Sequence, residues 1–331
     1  MVPTVSLSAY AAARQRAAFV DRSDRGRIVV SGSERGSYLH GLLTNDTAAL
    51  RAGTGCYAAY LTAQGRMIAD LYVYELGDVM LLMMESGVKD AVMAKLDQFI
   101  FSEDVQLGDV TASFAQIAVI GPEAGAVVAA ALGTIGADAL AALPEHGNVR
   151  TDWRGGAAIA TRITDLGVPG FDVYVERAQT EALKSALTAS DAAEMDEATA
   201  ETLRIENGVP RFGHDMDEET IPLEAGIESR AISFTKGCYV GQEVIIRVLH
   251  RGHGRVARRL VGLTIDGSEV PPAGARITAG EREIGEVTSS TMSPTLQRPI
   301  ALGYVHRDFV EPGTGVMIDS ASVQVTALPF V

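Results

Sequence analysis

Cysteine is nearly absent from this chain. Its 331 residues hold only Cys56 and Cys238, far apart and outside any CxxC pair. That excludes a disulfide framework and a dedicated zinc cluster, and it suits a reducing, cytoplasmic setting. An excess of positive charge is also lacking. The formal net charge is −14, which argues against a general nucleic-acid or anionic-membrane surface. No apolar run reaches the roughly 18–20 residues of a membrane-spanning helix. The N-terminus lacks the basic-then-apolar order of a secretory signal. Ala11 to Ala18 carries two arginines, but Asp21 and Asp24 follow closely, so the stretch reads as a folded helix. No sequence repeat recurs at a fixed period. The length leaves room for two or three domains.

What is present centres on Lys236-Gly237-Cys238-Tyr239-Val240-Gly241-Gln242-Glu243. The glycines allow a sharp turn or a close backbone approach. Lys236 supplies positive charge near the sulfur, which would favour the thiolate. The other reading is a small buried cysteine in a tight turn. Val244-Ile245-Ile246 then reads as the start of a strand.

Earlier in the chain, Arg27–Val30 predicts a strand and Tyr38–Leu43 a helix, which stops at Thr44-Asn45-Asp46. Gly55–Thr62 and Met67–Glu75 predict two strands around the turn Gln64-Gly65. The second has unlike faces. Met67, Ala69, Leu71 and Val73 form an aliphatic one, while Ile68, Asp70, Tyr72 and Tyr74 share the other. That second face is either a solvated sheet surface or a ligand surface, with rings that stack on a flat heterocycle and an acid that binds it. A helical stripe from Val88 to Ile100, strands over 104–110 and 116–120, and a helix opened by Gly121-Pro122-Glu123 give a split βαβ order. A second round follows, with strands over 157–161 and 171–176, a helix over 180–189, and a further helix that Gly208 stops. Arg204, Glu206, Asp215 and Glu224 could form one buried ion-pair set.

Arg247, His250, Arg251, His253, Arg255, Arg258 and Arg259 reverse the local charge. The stretch is an anion site, an arginine-rich linker paired with the chain's own acids, or, more weakly, an RNA contact. His250 and His253 have no cysteine or third histidine near them, which argues against a metal there. From Arg259 on, six short strands punctuated by Gly and Pro predict a small β-barrel or sandwich.

Several blocks resemble the superfamily that includes the glycine-cleavage aminomethyltransferase (T-protein) and the YgfZ-type folate-binding proteins. They are Leu42–Asp46, Leu61–Arg66, Arg204–Pro210, Ile221–Glu224, Gly285–Ser289 and Ala301–Val305; Lys236–Glu243 is similar to the YgfZ signature. The resemblance implies an α+β fold, with three domains ringing a central channel that holds tetrahydrofolate. It divides the chain into a T-protein-like region over 1–245, made of two interleaved α+β subdomains, and a C-terminal β-barrel over 246–331. It implies an accessory protein that serves iron–sulfur enzymes or their assembly proteins through Cys238; the alternative is a folate-dependent aminomethyltransferase or other one-carbon transferase. Cys238, Lys236 and Asp70 are the expected reactive groups. Asp70, Tyr72, Asn45, Arg204, Glu206 and Gln242 are the expected folate contacts. Asp70 matches an acid that lies beside the reactive folate nitrogen in the transferase, while Ala69 replaces that acid's neighbour. Gly167-Val168-Pro169-Gly170 matches a block in which the transferase has a pterin-gripping glutamate, so Val168 stands where that carboxylate would be.

Overall fold

The structure, a computed structural model, describes residues 5–250 and 254–331. Arg251 and His253 of the arginine-rich stretch lie outside the described residues. Helix α1 (Leu7–Gln15) leads into strand β1 (Ala18–Asp21), and then come β2 (Gly26–Ser31), α2 (Arg35–Leu42), β3 (Thr54–Leu61), β4 (Met67–Glu75), β5 (Met80–Met84), α3 (Ser86–Asp97) and β6 (Gln106–Asp109). The middle of the chain holds β7 (Phe114–Ile120), α4 (Ala124–Leu132), α5 (Ala137–Ala141), β8 (Asn148–Trp153), β9 (Gly156–Ile163), β10 (Gly170–Glu176), α6 (Thr180–Ala189), β11 (Ala193–Glu194) and α7 (Glu197–Glu206). Three short helices follow, α8 (Pro222–Ala225), α9 (Glu228–Ala231) and α10 (Gln242–His250). The C-terminal strands are β12 (Arg258–Ile265), β13 (Arg276–Ala279), β14 (Arg282–Ser293), β15 (Arg298–His306), β16 (Gly315–Ile318) and β17 (Ala321–Thr326). Among the described residues no helix is long and apolar enough to cross a membrane.

The fold is α+β. Strands β2 to β6 form one sheet in the order β3-β4-β5-β2-β6, while the N-terminal β1 leaves it and joins β11-β1-β7-β10-β9-β8. The first strand therefore ties the N-terminus to the sheet built by the middle of the chain. Residues β12 to β17 close into a barrel. Between the two open sheets lies a shared core. Tyr57, Tyr72, Tyr74 and Met83 from one sheet meet Ile159 and Tyr174 from the other, and Phe212, Leu223 and Ile227 from the connector pack in with them. Helix α7 fastens this body to the barrel: Glu206 accepts from Ser293, and Arg204 donates to Ser289 at 2.8 Å. Glu206 also accepts from Tyr10 and Arg14 of α1, so one fully buried carboxylate binds three parts of the chain.

Two sequence expectations are corrected here. Val244-Ile245-Ile246 lies inside helix α10 and not in a strand, so the 245/246 division also falls within that helix. The β-branched run favours a strand locally. The tertiary fit decides instead: Ile245 is fully buried, and Leu249 one turn on packs against the same core. The faces of β4 also differ at its start. A bulge between Tyr60 and Leu61 moves Met67 onto the tyrosine side and Ile68 onto the aliphatic side, while Asp70, Tyr72 and Tyr74 keep the predicted face.

The same region shows why two sequence blocks occur together. Gly241 has φ +86°, and a Cβ there would meet the Thr62 carbonyl oxygen at 2.6 Å. The Lys236–Glu243 loop thus closes directly on the turn after β3, and only glycine fits. Gly241→Ala should lower stability by about 2 kcal/mol in chemical denaturation, since both the positive φ and the backbone contact penalise a side chain. An unchanged midpoint would contradict this packing.

Candidate functional site

A concentration of polar side chains facing one space lies at the edge of the shared core. It is a narrow cleft between strands of the first sheet and loops of the second. Asp70 and Tyr72 reach it from β4, Met83 and Met84 from β5, and Arg22 and Arg25 from the loop after β1. Glu85, Asp165, Glu201, Arg204 and Arg211 complete much of its rim.

Most of these charges are already paired. Glu85 is 3.0 Å from both Arg25 and Arg211. Arg211 also reaches Glu197 at 2.8 Å. Arg204 binds Glu201 and, at 2.6 Å, the buried Asp215. Arg22 binds Asp165 at 2.6 Å. These neighbouring pairs fix the rim.

Asp70 differs from its neighbours. Among the described residues it has no cation within ion-pair distance, and its one side-chain partner is the Tyr57 hydroxyl, which donates at 2.7 Å. In the antiparallel register Tyr57 lies opposite Tyr72, so Tyr57 and Asp70 share a face as diagonal neighbours. Burial pushes the Asp70 carboxyl up to about 6, opposed by the Tyr57 hydrogen bond and by Arg25, while Glu85 adds to the rise. Tyr57 and Tyr72 have ring centroids 4.9 Å apart, and the Arg230 guanidinium lies 5.3 Å from the Tyr57 ring. The result is an acid with a shifted proton affinity on an aromatic wall, a combination suited to proton transfer at a heterocycle.

The residues expected from sequence separate into two groups. Asp70, Tyr72 and Arg204 line the cleft. Asn45, Glu206, Gln242, Lys236 and Cys238 lie outside its lining. Asn45 donates to the Tyr57 carbonyl at 2.8 Å and the Arg230 carbonyl at 3.2 Å, so it supports the wall from behind. Gln242 is the first residue of α10. Arg204, Glu206, Asp215 and Glu224 are not one set: Arg204 pairs with Asp215, Glu206 with Arg14, and Glu224 with Arg258 at 3.3 Å. Arg259 pairs with Glu228, so the described end of the arginine stretch is partly matched by the chain's own acids.

The expected activation of Cys238 by Lys236 is corrected. The Lys236 ammonium points inward and donates to the carbonyls of His40, Leu43 and Asn45, two of them at 2.6 and 3.1 Å. The His40 and Leu43 carbonyls belong to the last turn and C-cap of helix α2, where backbone donors run out, while the Asn45 carbonyl beyond it also accepts from the Thr47 N–H. Burial lowers the Lys236 pKa to about 8, and its charge is felt by Asp46 and Cys56. Cys238 is exposed. Lysine beside cysteine in sequence thus became a helix-end cap beside a surface thiol.

Sequence reasoning missed Arg22, Arg25, Glu85 and Asp165, which reach the cleft from separate loops, and Tyr57, which bonds Asp70 across a strand pair. The alternation Tyr57-Ala58-Ala59 opposite Asp70-Leu71-Tyr72 carried the signal for Tyr57 alone.

Fold and site together define a two-sheet α+β body with a C-terminal barrel and a buried acid on a tyrosine wall. Residues 4–236 match the GCVT N-terminal domain, and residues 258–331 match the glycine cleavage T-protein C-terminal barrel domain. The chain belongs to the glycine-cleavage T-protein family. It is 33% identical to an aminomethyltransferase of Rubrobacter xylanophilus, over 96% of this chain and 84% of that protein. It is also 33% identical to one of Streptomyces coelicolor, over 97% and 88%. The crystal structure of glycine cleavage system aminomethyltransferase T from Bartonella henselae superposes with a TM-score of 0.88 at 26% identity, covering 98% of this chain and 89% of that one. These matches overturn the expectation of an accessory protein for iron–sulfur enzymes or their assembly proteins: the relatives aligned over nearly the whole chain are named as transferases.

Two measurements test this geometry. Asp70 has a raised folded pKa, so its favourable contribution is complete below the unfolded value and is lost as pH rises through about 6. Asp70→Asn should therefore be more stable than wild type above that pH, by about 1–2 kcal/mol, with the difference closing in acid. Lys236→Met should destabilise the fold by about 1–3 kcal/mol through the unpaired carbonyls. It should leave the alkylation rate of Cys238 near that of wild type; a large fall in that rate would restore the activating role.

Proposed function

We propose that this protein is a tetrahydrofolate-dependent one-carbon transferase of the aminomethyl type, with the pteridine ring in the Asp70 cleft. The observation that carries the reading is the Asp70 carboxyl, held by one hydroxyl, with no cation at ion-pair distance among the described residues, and shifted to about 6. The cleft fits such a substrate on its own terms: it offers a ring for stacking in Tyr72 and a buried carboxylate oxygen of Asp165 that lacks a donor among the described residues. The transferase relatives support the same reaction class.

In this mechanism a donor group X–CH2R transfers its carbon to a folate nitrogen. The C–X bond breaks, the N–C bond forms, and ionised Asp70 takes the proton that leaves the nitrogen and returns it to X. Tyr57 fixes the carboxyl rotamer and stabilises its charged form. The paired arginines and glutamates hold the rim in place, so that the acid does not collapse onto a cation. A base tuned near neutrality is the efficient choice for such a transfer.

Lys236–Glu243 supports assignment to the YgfZ-type branch of the family. In this mechanism the block acts structurally, through Gly241 and Lys236, and Cys238 takes no step.

Asp70→Asn should keep tetrahydrofolate binding, read as a thermal shift, and lose transfer of an aminomethyl or methyl group by at least about a hundredfold. Wild-type transfer should fall as pH drops through about 6, because Asp70 must be ionised among Tyr57, Tyr72, Glu85, Arg25 and Arg230. Binding without turnover over background, for any such donor, would sink the transferase reading.

A further inference from the structure

The first sheet ends in an edge that the rest of the chain leaves open. Strand β6 is last in the order β3-β4-β5-β2-β6, and β2 is its one strand partner among the described residues. In that antiparallel pair the Val110 N–H donates to the Arg27 carbonyl. By alternation, Leu107 and Asp109 turn their backbone N–H and C=O groups away from β2. An edge of this kind is a template for a further strand. The surface beside it is apolar. Between β6 and α3 runs a groove lined by Met93, Ile100, Val105 and Leu107, continuous with the core that α3 covers. The loop from α3 to β6 adds two aromatic rings, Phe99 at 42% and Phe101 at 82% exposure. Exposed rings grouped at an apolar groove mark a contact surface.

The charge around this surface has one sign. Glu103 accepts from the N–H groups of Phe101 and Ser102, Glu34 from that of Asp104, and Asp104 from Ser33. Those bonds hold Glu103 and Asp104 below the usual carboxylate range, so both are ionised. Asp97 lines the groove itself. Among the described residues none of these four acids has a cation at ion-pair distance. Lys89 of α3 is taken by Asp90 and Asp109, both at 2.5 Å. A surface with apolar anchors, free backbone groups and uncompensated acids is complementary to a chain that is extended, apolar on one face and basic.

We propose that the β6 edge and the groove beside it form a docking site for an extended basic segment of a partner protein. The segment adds to the sheet as a strand through Leu107 and Asp109, sets apolar side chains into the groove, and carries Lys or Arg to Asp97, Glu103 and Asp104. A second copy of this chain is the poorer occupant. Joining two β6 edges brings these acids together, in a chain whose net charge is −14. The groove shares no lining residue with the Asp70 cleft, so the proposal stands apart from the folate reading.

Calorimetric titration of the whole chain with a short peptide of alternating valine and lysine, and with its valine–glutamate counterpart, tests the site. Wild type should bind the lysine peptide at least about tenfold more tightly than the glutamate one, and less tightly as salt is raised. Amide shifts in NMR should centre on Leu107 and Asp109. The double variant Phe99→Ser/Phe101→Ser keeps the net charge and changes exposed positions, and should lose affinity by at least about tenfold, as removal of aromatic anchors does. Asp97→Lys should weaken binding in the same direction. Equal affinity of wild type and the phenylalanine variant overturns the proposal, because overall charge alone then attracts the peptide. Failure of wild type to bind the lysine peptide overturns it too. Sedimentation of wild type should show a monomer; a dimer that the phenylalanine variant dissociates would give the face to a second copy and overturn the basic partner.

Discussion

A carboxylate held by a single phenolic hydroxyl is the constraint that organises this molecule. Asp70 lies on a strand whose same face carries Tyr72 and Tyr74, and Tyr57 reaches it from the neighbouring strand at 2.7 Å. To keep such a group free of cations in a protein where many arginines line the same cleft, each arginine must be occupied elsewhere. The structure does this with Arg22 on Asp165, Arg25 and Arg211 on Glu85, and Arg204 on Asp215. Those pairs are weak evidence for stability, because desolvation offsets much of their attraction. Their clearer role is positional: they keep guanidinium groups from neutralising Asp70, the acid to which the proposed transfer assigns the proton. The strain of an under-partnered buried acid is a common mark of function.

The connectivity serves the same end. Strand β1 crosses from its neighbours into the second sheet, and the loop that follows it carries Arg22 and Arg25 to the cleft. Helix α7 carries Glu201 and Arg204 to the cleft and docks on the barrel through both Arg204, which donates to Ser289, and Glu206, which accepts from Ser293. The barrel also reaches the connector, where Thr288 donates to Asp215, the partner of Arg204. The exposed Cys238 stands apart from this machinery.

Much of the fold was legible. The ends of β4 and α6, the six C-terminal strands and the Gly208 stop follow from alternation, helical spacing and turn residues. The fully apolar β5, Met80-Leu81-Leu82-Met83-Met84, escaped because a strand buried on both faces shows no alternation. Helix α10 was mistaken because β-branched residues state a local preference that long-range burial of Ile245 overrides. In the site, Asp70 and Tyr72 were readable because one strand displays both. Asp165, Arg22 and Glu85 were not, because loops far apart in sequence converge on them. Lys236 and Cys238 misled for the opposite reason, since adjacency in sequence says nothing about where a long side chain points.

The most direct test is the titration of the Asp70 carboxyl itself, followed by carbon NMR in labelled protein and assigned with Asp70→Asn. A midpoint near 6 is expected for the isolated, hydroxyl-held acid. A midpoint near the ordinary aspartate value of about 4 would mean the group is solvated or paired with a cation, and would contradict the account.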